Sequence, residues 1–371
     1  MTSSTRRTPG GKLGPCIAVA LAAMAVAAGI LGLELHQAAT VPASHARPVS
    51  NVFVPMHGAA ETLVSQMDGL AFAQIADDPT FEHVVHDYYG DRHAAAYRSA
   101  RPVTGWAGWI LAGGGGGKRI AWAMVAISVL SIGTLAFVVA ATGVSAGASA
   151  QSGLVVLVLP GVLASLRYPG LSEPLAFTLA FGALLLWRRN LRWPAVALFA
   201  VAALTRETTL LFCVGLAVEQ AWLRRPLRRS IPLAVPVATY GIWCLVVRAL
   251  VGELPSGSGQ LTAPGLGLLH ALPQWNAMEW VTAAGLLVSV VAAARFGDLT
   301  TRCLLVVHVA FVLCMGQVVW AYWWAFSRVT LPVFILGWLA HGAAAVVRQR
   351  PAAAIKAPSP RTDAVPAPGI I

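Results

Sequence analysis

AVALFAVAALTRETTLLFCVGLAV, residues 195–218, is apolar over a length that could cross a bilayer, except that Arg206 and Glu207 stand side by side near its middle. An ionisable side chain at membrane depth costs roughly 2.5 to 3.5 kcal/mol even on the mildest insertion scales, so such a pair marks a site or an interface. The stretch therefore reads as two short spans, 194–206 and 208–223, that meet at the charged pair.

The rest of the chain supports a membrane reading. Of 371 residues, 57% are hydrophobic and only 11% are charged, and the mean hydropathy is +0.70, well outside the range of soluble domains. A net charge of +11 would suggest nucleic acid in a soluble protein. Here the basic residues cluster in short segments between apolar runs, which is the positive-inside pattern, and no nucleic acid is implied. The five cysteines, Cys16, Cys213, Cys244, Cys303 and Cys314, lie in or beside apolar runs without CxxC spacing, so neither a disulfide framework nor a zinc site is indicated.

A span needs about 20 apolar residues, fewer where the helix is short. The expected fold is an all-α polytopic membrane protein of about ten transmembrane helices, at 14–33, 119–141, 151–166, 172–187, 194–206, 208–223, 231–251, 277–295, 303–320 and 329–347. Arg6, Arg7 and Lys12 put the N-terminal segment 1–13 in the cytoplasm, and alternation puts Arg188, Arg189, Arg192, Arg224, Arg225, Arg228, Arg229, Arg295, Arg302, Arg348 and Arg350 there too. Lys118 and Arg119 fall outside in this count, against the rule. Making Pro102–Ala112 an extra span would put the arginines at 188–192 outside, a worse violation. The first run is taken as an uncleaved anchor although Ser44-His45-Ala46 offers a cleavage site. The module 14–347 thus carries a long first extracytoplasmic loop, 34–118, and is followed by a Pro- and Ala-rich cytoplasmic tail, 348–371, expected to be disordered.

Once the spans are numbered, the remaining charges converge on the extracytoplasmic face. The outer loop carries Asp68, Asp77, Asp78, Asp87, Asp91, Arg98 and Arg101; Glu173 begins the fourth span; Arg206 and Glu207 join the fifth and sixth; Arg328 begins the tenth. Arginines bind phosphate by charge-assisted, often bidentate hydrogen bonds. A carboxylate among them suits removal of a proton from an acceptor hydroxyl. Arg206 and Arg328, with Arg98 or Arg101, fit the first task and Asp68 the second, with Asp77 and Asp78 as rivals.

Each group also has a plain structural reading. Arg206 and Glu207 could pair with each other, Glu173 could favour a helix N-terminus ahead of Pro174, and Arg328 could anchor an aromatic belt with Tyr322, Trp323 and Trp324. His83, His86, Asp87, Asp91 and His93 lack a metal-site signature and read as a solvated loop. Gly113 to Gly117 lacks the ending of a phosphate loop. The segment from Glu253 to Met278, with Gln260, His270, Gln274, Trp275 and Asn276, reads equally as a cover over the site or as a linker.

Asp68-Gly69, Phe72-Ala73-Gln74-Ile75-Ala76-Asp77-Asp78-Pro79 and Tyr97-Arg98-Ser99-Ala100-Arg101-Pro102 resemble the first outer loop of GT-C-type integral-membrane glycosyltransferases. Leu171-Ser172-Glu173-Pro174-Leu175, Leu204-Thr205-Arg206-Glu207-Thr208 and the segment from Trp323 to Pro332 resemble further family positions, so the likeness extends over most of Gly58 to Ala340. The resemblance implies inverting transfer of a sugar from a polyprenyl-phosphate donor to a glycan, lipid or protein acceptor at the outer face of the cytoplasmic membrane. Asp68 would be the base, Arg206, Arg328, Arg98 and Arg101 would hold the donor phosphate, and Glu173 and Glu207 would orient those arginines or bind sugar hydroxyls. No cofactor is indicated with certainty, and assistance by a divalent cation is left open. Membrane lipids are the expected surroundings. A transporter or flippase for lipid-linked saccharides, and an inactive envelope-assembly scaffold, remain alternatives, since a fold resemblance does not establish activity.

Overall fold

The computed structural model describes residues 13–40, 58–83, 92–223, 225–257 and 260–349, and among these the chain is helical, with one isolated antiparallel bridge between Leu261 and Met315. Arg6, Arg7, Lys12, Ser44-His45-Ala46, His86, Asp87, Asp91, Arg224, Arg350 and the tail from Pro351 lie outside the described residues, as does the side chain of Arg348.

In chain order the helices are α1 (Leu13–Thr40), α2 (Ala59–Val64), α3 (Gly69–Asp77), α4 (Arg92–Ser99), α5 (Pro102–Leu111), α6 (Lys118–Ser145), α7 (Pro160–Arg167), α8 (Glu173–Arg188), α9 (Arg192–Thr205), α10 (Leu210–Trp222), α11 (Ala234–Val251), α12 (Leu266–Ala271), α13 (Ala277–Phe296), α14 (Leu299–Leu313), α15 (Gln317–Trp320), α16 (Trp323–Val329) and α17 (Leu331–Gln349). Pro102, Pro160 and Pro174 sit in first helical turns, where the missing N–H costs nothing. Asn276 and Glu279 form a capping box on α13, and Asp298 caps α14 by accepting from the Thr301 N–H.

This is a helical membrane protein. Among the described residues four helical segments are long and apolar enough to cross a bilayer, Leu13–Thr40, Lys118–Ser145, Ile231–Val251 and Ala277–Phe296, or six if each of two bent pairs counts as one span. One bent pair joins a 3-10 helix, Ala150–Val158, to α7 at 59°, and the other joins α16 to α17 at 63°. The sequence marks the first break with Pro160. The second, at Thr330, falls where the reading of 329–347 expects a helix start. The expected span 303–320 is also divided, with α14 ending at Leu313 and α15 beginning at Gln317. Among its described residues, the segment expected as an outer loop is largely helical, with α1 running on to Thr40 and α2 to α5 following.

The most enclosed long helix is α6, which packs on α1, α8 and the 3-10 helix, whereas α11 and α13 keep most of their apolar surface on the outside. In lipid that exposure carries no hydrophobic penalty, and close packing rather than water exclusion holds the helices together. The basic segments after α8 and α10 and the α13–α14 turn come together: Arg188 pairs with Asp298 at 3.0 Å and Arg192 Nη1 donates to the Arg229 carbonyl at 3.2 Å. They share one region of the bundle, and the acid and arginine residues described next gather in another.

Candidate functional site

The charged positions singled out in the sequence do not stay apart. Met67 and Asp68 ahead of α3, Tyr97, Arg98 and Arg101 around the end of α4, Arg206 to Thr208 between α9 and α10, and Trp324, Arg328 and Val329 of α16 all line one cavity of about 630 Å3. Pro255 to Gly257, Gln260 and Leu261 form another part of the wall, and Phe311, Met315, Val318 and Val319 supply an apolar side. Four arginines thus face two carboxylates, Asp68 and Glu207, across the cavity surface.

Arg206 interrupts the helices because its backbone is extended, with φ −159° and ψ 121°. Side chains of successive residues in extended backbone point to opposite sides, and the two neighbours accordingly find different partners. Arg206 Nη1 lies 2.9 Å from Glu173 Oε1, while Glu207 binds Arg101. The mutual pair considered from the sequence is not formed.

Glu173 is completely buried and also lies 3.3 Å from Arg328 Nη1, so one carboxylate bridges two arginines. Arg206 and Arg328 are themselves 7% and 8% exposed. The contacts are close in distance but poorly aligned: Arg206 Nε, Arg328 Nε and Nη1, and both Glu173 oxygens make no aligned hydrogen bond. Ser172, Thr208 and Ser327 add buried hydroxyls without partners. A buried charged group with an unmade hydrogen bond costs on the order of 1 to 3 kcal/mol or more, and native proteins keep few such groups without a functional reason.

Arg101 is in the opposite condition. It is 2% exposed, and its Nε and Nη2 donate to the two Glu207 oxygens at 2.6 Å each, a bidentate fork. Nη2 also donates to the Tyr97 hydroxyl, and the guanidinium lies 4.3 Å from the Tyr97 ring centroid. Burial alone would raise the Glu207 carboxyl pKa and lower that of Arg101, but their mutual attraction outweighs it, depressing Glu207 and lifting Arg101 well above its usual value.

Asp68 is half-buried. Burial would push its carboxyl up, yet the combined fields of Arg328, Arg101, Arg98 and Arg206 hold it below its ordinary value of 3.8. Its position is fixed by backbone contact. A Cβ on Gly69 would stand 2.8 Å from the Pro169 carbonyl oxygen, and one on Gly170, at φ +87°, would stand 3.2 Å from Gly69 Cα. The Gly170 N–H donates to Ser128 Oγ on α6 at 3.0 Å. The preceding residue, Met67, is held at φ +56°, a strained conformation for a side-chain-bearing residue.

Asp77 and Asp78 are not brought to the cavity lining. Asp77 ends α3 beside the glycine-rich turn at Gly116. Asp78 is an ordinary loop cap, its oxygens accepting from the backbone of Glu82 and His83 and from the Thr80 hydroxyl. His93 lines the cavity and binds Glu253 at 2.8 Å. Among the described residues no group of three or more His, Cys, Asp or Glu side chains is arranged to hold a metal ion.

Tyr240 also lines the cavity, which the sequence did not signal, whereas Tyr97 stands in a quoted motif and Gln260 in a candidate covering segment. Tyr240 lies within an apolar helix without a polar periodicity, and Gln260 in a Gly- and Ser-rich segment that reads equally well as linker. No protein-family model matches the chain, and neither a curated protein nor a solved structure matches it significantly.

Proposed function

We propose that the protein is an inverting membrane glycosyltransferase that moves a sugar from a polyprenyl-phosphate donor to a glycan, lipid or protein acceptor at the outer face of the cytoplasmic membrane, in a GT-C-like fold of about ten spans. The observation that carries this reading is the pair of buried arginines, Arg206 and Arg328, bridged by Glu173 yet keeping unmade hydrogen bonds on a cavity shared with Asp68. Two guanidinium groups against one carboxylate leave an excess positive charge, which suits an anion of the size and valence of a phosphate ester.

In this reaction Asp68 takes the proton of an acceptor hydroxyl as the acceptor oxygen forms its bond to the sugar anomeric carbon. The bond from that carbon to the phosphate oxygen breaks on the opposite face, and its electron pair stays with the polyprenyl phosphate. The leaving phosphate gains negative charge in the transition state, where fixed guanidinium donors stabilise it most. Arg101 is occupied by Glu207 and Tyr97, so it acts as a positioning residue. An ionised Asp68 is ready to accept the proton without prior titration.

The test is transfer from radiolabelled polyprenyl-phosphate sugars to membrane-extracted acceptors by purified wild type and Asp68→Asn. Turnover by wild type, lost in the variant with donor binding retained, supports the reading; donor binding without turnover in either protein overturns it. That second result would favour a carrier of lipid-linked saccharides. One observation speaks for the carrier: α7 and α16 belong to the two bent pairs and pack on each other, and broken helices are a common feature of transporter binding sites.

A further inference from the structure

We propose that Gln260 is a specificity-determining residue that donates a hydrogen bond from its side-chain amide to a neutral oxygen of the sugar-bearing substrate, a deepening that rests on the anion-binding reading of the same cavity. The argument begins at Arg101. A guanidinium can only donate, so when Arg101 Nη2 meets the Tyr97 hydroxyl, the phenol oxygen must accept. The phenol still carries its own proton, and the acceptor within reach is Gln260 Oε1 at 3.0 Å. The direction of the amide is therefore fixed by the chain of donors: oxygen toward Tyr97, nitrogen away from it.

The backbone fixes the rest. The Gln260 N–H donates to the Gly257 carbonyl at 3.0 Å and its carbonyl accepts from the Gly316 N–H at 2.7 Å. Leu261 next to it bridges Met315. Gln260 lines the cavity that Arg206 and Arg328 line, and among the described residues no hydrogen bond from its amide nitrogen is present. Two N–H groups held in a fixed orientation at a cavity wall are a pre-organised recognition element.

The chemistry selects the ligand atom. A neutral amide donor next to cationic donors adds little for a phosphate, which the arginines hold more strongly. It does match a hydroxyl or ring oxygen, and such an oxygen could belong to the donor sugar or to the acceptor. The Tyr97 and Arg101 contacts extend the same order inward to Glu207, so one relay positions both the arginine and the amide.

The experiment uses the full-length protein in detergent, with decyl phosphate as one probe and the decyl phosphate esters of mannose, glucose, galactose and arabinose as the others. Wild type should bind decyl phosphate, and at least one sugar ester more tightly. Gln260→Met should remove that sugar increment, weakening the ester by about three- to tenfold while decyl phosphate affinity stays within about twofold. Tyr97→Phe, which keeps the ring over Arg101 but releases the amide, should lose part of the same increment. If the oxygen belongs to the acceptor, ester binding stays unchanged in Gln260→Met and the apparent KM for membrane-extracted acceptor rises by a similar factor. A Gln260→Met protein that binds decyl phosphate normally and changes neither quantity overturns the inference. Failure of wild type to bind decyl phosphate overturns the anion reading, and this inference with it.

Discussion

Glu173 Oε1 stands 2.9 Å from Arg206 Nη1 where the carboxylate is wholly buried, and the same oxygen reaches Arg328 at 3.3 Å. Removing the acid leaves two buried cations facing each other. Breaking one side of a buried ion pair typically costs about 3 to 5 kcal/mol, so Glu173→Gln should lower the unfolding free energy by about 3 kcal/mol, read by thermal unfolding in detergent. Added decyl phosphate should stabilise this variant more than wild type, because the ligand then supplies the missing negative charge. Equal stabilisation of both proteins would separate the triad from anion binding.

Three of the four arginines of the cavity are expected to divide into two kinds. Arg206→Gln and Arg328→Gln should each weaken decyl phosphate binding by about tenfold or more, the value of one lost charge-assisted contact. Arg101→Gln should change that affinity little and instead reduce stability by about 2 kcal/mol, since Glu207 loses its bidentate partner. In a double-mutant cycle with Glu207→Gln the two losses should be non-additive by about 1 to 3 kcal/mol. Additive losses would mean that the fork contributes nothing.

Gly161 follows the break at Leu159 and lies against α16, where a Cβ would stand 2.5 Å from the Ser327 carbonyl oxygen and 3.2 Å from Arg328 Cα. Both contacts are to backbone, which yields poorly. Gly161→Ala should cost about 1 to 3 kcal/mol and, by displacing Arg328, weaken decyl phosphate binding as well. A melting point and an affinity both equal to wild type would show that the two bent pairs slide freely.

The pH response of Asp68 follows from its lowered folded value. A depressed carboxyl contributes stability that is fully present above its unfolded value, here 3.8, and that is lost as pH falls through the lower folded value. Unfolding of wild type and Asp68→Asn, compared from pH 7 down to pH 3, should therefore show a constant difference until about pH 4, shrinking below it. A wild type that instead gains stability relative to Asp68→Asn as pH falls from 7 to 5 would mean that the carboxyl is raised, and that the four arginines do not govern it.

The membrane class and the convergence of Asp68, Arg98, Arg101, Arg206, Glu207 and Arg328 were legible because charge in an apolar chain is costly and conspicuous. The pairing within that set was not. Arg206 and Glu207 look like partners in one dimension, and only the extended backbone at Arg206 sends them to Glu173 and Arg101. Asp77 and Asp78 stand in the sequence as rivals to Asp68, yet one ends α3 beside a glycine turn and the other closes a local cap. The break at Pro160 was visible through proline chemistry. The 63° bend at Thr330 was not, because Pro332 is equally at home in the first turn of an uninterrupted helix.

The contact between Gly69 and Gly170 gives the two halves of the proposed chemistry a common hinge pin. Asp68 directly precedes one glycine and Glu173 lies three residues beyond the other, so the proton acceptor and the keeper of the arginine pair ride on a single backbone crossing. A side chain of any size at either glycine would strike both together. One substitution there is expected to disturb the positions of Asp68 and Glu173 at once.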